Sequence, residues 1–121
     1  LHPVVHIRYS QKRHRAKQRS LVGPPALVDL IGRYLRHHPL PEGEEHLFPY
    51  SRRHLQYVVE KAGRAAGLRR PLTPSTLRWT YALDQFQTGV DPETLRQRLG
   101  LSALGWKDVE TKLRTLARRP L

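Results

Sequence analysis

The chain has 121 residues, 38% of them hydrophobic, and a formal net charge of +12. That length suits one domain, 1–121, with a modest core. The absence of cysteine excludes disulfides and thiolate metal sites, and no apolar run approaches the roughly 20 residues needed to cross a bilayer. With no signal peptide at its start, the expected compartment is the cytoplasm. The opening Leu1-His2-Pro3 lacks an initiator Met and reads as part of a longer protein.

Val4 to Tyr9 is rich in β-branched and aromatic residues and predicts a strand. Ser10 to Gln18 is polar and cationic and predicts a long basic loop, after which Arg19-Ser20-Leu21-Val22 predicts a short second strand that closes a hairpin. Gly23-Pro24-Pro25 ends it, because proline donates nothing to a ladder. Residues 1 to 28 contain no acid, and Arg8, Lys12, Arg13, Arg15, Lys17 and Arg19 fall within twelve positions. Cations so close repel one another, and a polyanion relieves that repulsion while shedding its own counterions. Nucleic acid is therefore the expected partner, in preference to an anionic membrane, since no broad apolar helical face accompanies the cluster.

Leu27, Leu30, Ile31, Tyr34 and Leu35 recur at helical spacing and predict an amphipathic helix over 25–37. A Pro- and Gly-containing loop follows, with Leu47-Phe48 as an apolar anchor or a third short strand. Ser51 caps a helix running through Leu55, Val58, Val59, Ala62 and Ala66 to Gly67. After a basic linker, Thr73 caps a third helix with Pro74 at its first position, where a missing N–H costs nothing. It should stop near Gly89, and Asp91-Pro92 repeats the same signal for a short helix ending near Leu99-Gly100. Trp106, Val109, Leu113 and Leu116 mark a terminal helix, beyond which the tail to Leu121 should fray. The expected fold is α+β and mainly α: a short N-terminal hairpin packed on about five helices.

One stretch carries more than structure. In Thr73-Pro74-Ser75-Thr76-Leu77-Arg78-Trp79-Thr80 an arginine sits one turn into a capped helix, and twenty-one residues later the chain reads Leu99-Gly100-Leu101-Ser102. This spacing, with the Gly89-Val90-Asp91 turn between, resembles the second half of a tyrosine recombinase (phage integrase) catalytic domain. That family's pattern is His-x-x-Arg, about twenty residues, Leu-Gly-His, and a nucleophilic Tyr about nine residues further on. The resemblance covers almost the whole chain. It assigns the second catalytic Arg to Arg78, and to the family's hairpin-turn Lys it assigns Lys12, with Lys17 as rival. The family's first catalytic Arg lies ahead of the hairpin and so ahead of Leu1.

The departures matter as much. Ser75 stands at the first His position, Leu101 at the second and Glu110 at the nucleophile, and no Tyr follows Tyr81. In the family a Tyr hydroxyl attacks a DNA phosphodiester, two Arg forks stabilise the charge on its oxygens, and Lys and His move protons. A carboxylate at the nucleophile position is repelled by the phosphate, and leucine has no proton to give. Glu110 reads as a solvated helix-face acid, Leu101 and Trp79 as core packing, and Ser75 either as a first-turn residue or as a hydrogen-bond partner of a phosphate. Arg52 and Arg53 open the second helix against its dipole, and in the family a helix near here contacts DNA, so both are candidate phosphate ligands.

The reading is a DNA-binding, integrase-type recombinase domain, catalytically inactive as it stands, with Arg78 and Lys12 as remnant catalytic positions. Arg13, Arg15, Lys17, Arg19, Arg52 and Arg53 would contact DNA. Duplex DNA and other recombinase protomers are the expected partners, with no membrane, no cofactor and no metal; His37, His38 and His46 are not spaced as a metal set. Two alternatives stand beside it: an active domain receiving its nucleophile from another chain, and a basic module binding RNA or an acidic protein.

Overall fold

The structure, a computed structural model, describes residues 3–11 and 14–118, and the backbone alone for 8–11 and 14–18. The expected fraying of the tail therefore falls largely outside the described residues. The chain divides into two compact units, Leu1–Pro49 and Tyr50–Leu121.

In the first unit, β1 (Val4–Gln11) pairs antiparallel with β2 (His14–Val22), and α1 (Ala26–His37) follows. The hairpin is longer than the sequence suggests. Arg8 pairs with Gln18, Tyr9 with Lys17 and Gln11 with His14, with an irregularity between Tyr9 and Gln11. Most of the expected basic loop is therefore strand. The physical reason is that a ladder is built from backbone N–H and C=O groups and needs no apolar side chain. Toward its base the ribbon alternates as a strand should: Val5, Ile7, Arg19 and Leu21 are half-buried, while Val4, His6, Ser20 and Val22 are exposed. His6 and Ser20, directly opposite, join through Nδ1 and Oγ at 2.8 Å on the exposed side.

Helix α1 half-buries Leu27, Ile31, Tyr34 and Leu35, but Leu30, expected on the same face, is 57% exposed. Leu47-Phe48 forms no strand; Phe48 instead meets Tyr34 edge to face at 5.3 Å. The expected anchor is there as an aromatic contact.

The second unit holds α2 (Arg52–Ala65), α3 (Pro74–Gln87), α4 (Pro92–Leu99) and α5 (Ala103–Ala117). Ser51, Thr73, Asp91 and Ser102 each accept a hydrogen bond from a backbone N–H three residues on, so all four helices begin on a side-chain cap. Five residues, Ala82 from α3, Leu95 and Leu99 from α4, and Trp106 and Leu113 from α5, form the buried core, with Trp79, Leu83, Phe86, Val90, Leu101 and Val109 packed around it. Helix α2 is closed from behind at Gly63: a Cβ there would lie 2.6 Å from Leu72 Cβ, so the linker can return against the helix only over a glycine.

Candidate functional site

Pro74 at the first position and Thr73 as cap fix where α3 begins, and the fixed start sets which way its first turn faces. Ser75, Arg78 and Trp79 then fall on the side that meets α4 and α5. With Ala82, Leu99, Leu101 and Val109 they line a cavity of about 170 Å³. The residues matched to the family's His, Arg and second His positions thus share one wall. Sequence spacing alone does not bring Leu101 to Arg78; the packing of α4 on α3 does.

Arg78 Nη2 donates to the Leu99 carbonyl at 2.6 Å. The last carbonyls of a helix have no partner within it and carry the negative end of its dipole. Helix α4 ends in a tight reversal in which Gly100 N donates to Gln97 O and Leu101 N to Arg96 O, both at 3.1 Å, with Gly100 at φ 71 and ψ 31. That reversal satisfies the carbonyls of 96 and 97 and leaves that of 99 to Arg78. The described bond engages one of the five N–H donors of a guanidinium, so Arg78 is oriented by protein while retaining donors for an anion.

A second guanidinium serves the same turn. Arg96 Nη1 donates to the Leu101 carbonyl at 2.7 Å, while its Nε donates to Glu93 Oε2 at 3.0 Å and its Nη2 to Glu93 Oε1. The Arg96 fork beside Glu93 holds that carboxyl below its ordinary range, and Glu93 in turn raises Arg96. The sequence reading passed over Arg96. Its signal was a Glu and an Arg three apart, just ahead of a Leu-Gly helix end.

A search of curated proteins finds tyrosine recombinase XerC of Listeria monocytogenes serovar 1/2a strain EGD-e, 30% identical over 87 residues, covering 72% of this chain and 29% of the relative. XerC of the serotype 4b strain F2365 is 29% identical over the same length. The crystal structure of XerA recombinase has the same fold over 96% of this chain and 47% of its own, with a TM-score of 0.69 at 19% identity. No protein-family model matches the chain. The chain is a tyrosine recombinase family domain. It spans less than a third, 29%, of the length of the XerC relatives.

Within this tyrosine recombinase domain the remaining candidates divide by location. Glu110, on α5, is tied to Arg114 one turn on at 3.5 Å, and its side chain is 24% exposed. Trp79 packs against the core as expected, and Lys112 lies 5.7 Å from its ring centroid, a cation–π contact absent from the sequence reading. Arg52 and Arg53 are exposed in a first turn that holds no acid, and His54 beside them sits between the rings of Tyr50 at 4.9 Å and Tyr57 at 6.5 Å. Arg19 is half-buried in β2 opposite Ile7. Lys12 and Arg13 lie outside the described residues; Arg15 and Lys17 lie in β2, with their side chains outside them.

Among the described residues no group of three His, Asp or Glu is arranged to hold a metal ion. His37 and His38 instead donate from Nδ1 to the carbonyls of Arg33 and Tyr34 at 2.9 and 3.3 Å. Also among the described residues, no helix is long and apolar enough to cross a membrane.

Proposed function

We propose that this domain binds duplex DNA through its phosphates, as part of a site-specific recombinase, and that the chain by itself does not cut DNA. The observation that carries the reading is the shared cavity of Ser75, Arg78 and Leu101: a donor-rich fork stands beside a hydroxyl and a leucine, neither able to act as a general acid near neutral pH, where the family has histidine. The net charge of +12 supplies the long-range attraction. Glu110 at the nucleophile position, already paired with Arg114, offers a carboxylate that a phosphodiester repels. In this reading Arg78 and Lys12 are remnants of the catalytic set, and Arg13, Arg15, Lys17, Arg19, Arg52 and Arg53 contact the DNA backbone. Other recombinase protomers would bind beside it.

The test is a salt titration of duplex binding. Affinity should fall steeply as salt rises from about 50 to 200 mM, and replacing Arg13, Arg15 and Lys17 together by alanine should flatten the log–log slope by about 0.9 per lost phosphate contact. Salt-independent binding, or no binding at the low-salt end, refutes the reading. Equal displacement from DNA by RNA and heparin would demote it to a general polyanion binder. A covalent adduct trapped on a nicked suicide substrate would overturn the inactivity.

A further inference from the structure

Arg78 is only as well aimed as the carbonyl that holds it. That carbonyl belongs to Leu99, the first residue of a three-residue turn pivoting on Gly100, and both ends of the turn are gripped by guanidinium groups. Arg78 Nη2 takes the Leu99 oxygen at 2.6 Å and Arg96 Nη1 takes the Leu101 oxygen at 2.7 Å. The two arginines differ in freedom. Arg96 is itself held, its Nε and Nη2 both on the Glu93 carboxylate, and its side chain is 25% exposed. Arg78 is exposed and makes one described bond to the protein. A planar fork anchored on two sides makes a rigid strut, whereas a fork anchored on one swivels with its anchor. Leu101, whose carbonyl Arg96 fixes, also lines the cavity beside Ser75 and Arg78.

We propose that Arg96, braced by Glu93, is the positioning residue that sets where Arg78 points. It does so through the Leu99–Leu101 turn and without touching the ligand. The inference rests on the reading that Arg78 meets a DNA phosphate. Losing Arg96 removes the partner of the Leu101 carbonyl, lets the turn relax, and shifts the Leu99 oxygen that orients Arg78. An interaction of hydrogen-bond precision then weakens even though its own residues remain.

The experiment is a double-mutant cycle on duplex DNA affinity and its salt slope, using the 121-residue chain. Arg78→Ala should weaken binding about tenfold, the cost of one charge-assisted contact, and lower the salt slope by about 1. Arg96→Ala should weaken it nearly as much alone, yet add less than about twofold in the Arg78→Ala background. Combined with Arg53→Ala, a cation on another helix, it should multiply in full. A merely structural contribution of Arg96 would weaken every phosphate contact alike and would not single out Arg78. Arg96→Lys keeps the charge at the end of α4 but loses the two-sided grip, so it should melt like the parent and bind like Arg96→Ala; Glu93→Gln should shift binding the same way by a smaller factor.

Full multiplicativity of Arg96→Ala with Arg78→Ala, or parental binding by Arg96→Lys, overturns the positioning role while leaving the phosphate reading intact. An Arg78→Ala variant with parental affinity and slope overturns the phosphate reading, and the positioning role falls with it.

Discussion

The two units of this chain hold themselves together by different means. Residues 50–121 bury Leu95 and Leu113 completely and gather Ala82, Leu99 and Trp106 around them. In residues 1–49 no described residue is buried, and order comes from the strand ladder, the helix of α1 and ring contacts such as Tyr34 with Phe48. The helical unit therefore has the rigidity to hold a guanidinium at a fixed place, because close-packed side chains resist displacement. The hairpin unit instead gathers a local run of cations, from Arg8 to Arg19, in a stretch without acids, and diffuse phosphate attraction demands no such precision. Precise placement of Arg78 would then come from the unit whose described residues include a buried core.

Cutting the core tests that contrast most sharply. Leu95→Ala should cost about 2–5 kcal/mol in chemical denaturation, whereas Leu30→Ala, a change of the same chemistry at an exposed site of α1, should cost within about 0.5 kcal/mol. Similar losses at the two sites would mean that α1 contributes a core of its own. Gly63→Ala comes next. The added methyl meets the Leu72 side chain at 2.6 Å, and overpacking there should cost about 1–3 kcal/mol. An unchanged denaturation midpoint would show that the linker gives way freely.

The smallest effect is the pH dependence that Asp91 brings to the helical unit. Thr94 donates to Asp91 from both its hydroxyl, at 2.6 Å, and its backbone N–H, at 3.0 Å, and these bonds hold the Asp91 carboxyl below its ordinary value of 3.8. A carboxyl lowered by folding stabilises the native state above the unfolded value, and that contribution fades as pH falls through the lower, folded value. Thermal melts from about pH 5 down to pH 2.5 should therefore show an acid decline that Asp91→Asn reduces. Parallel declines in parent and variant would remove Asp91 as a source.

Much of this was legible in residues alone. The helix starts at Ser51, Thr73 and Asp91 were readable because capping is local: a side-chain oxygen reaches a backbone N–H three residues away whatever the rest of the chain does. The Arg78 to Leu99-Gly100 spacing was readable for a related reason, since it measures two helices and the turn joining them. The hairpin was misjudged in length because charge was taken to forbid pairing, although a ladder asks only for backbone groups. Leu30 was misplaced because periodicity reports an apolar stripe, not how wide a surface arrives to cover it.

By itself the sequence determined where α2, α3 and α4 begin, the surplus of positive charge, and the residues standing at each position of the recombinase pattern. Those follow from interactions spanning a few positions and from composition. The tertiary structure alone decided that Arg78 rests on the Leu99 carbonyl, that Arg96 grips the far side of the same turn, and that Leu101 and Ser75 share a wall. Each of these depends on how α3 and α4 pack. That packing is chosen by the buried faces of both helices together, and no window along the chain contains it.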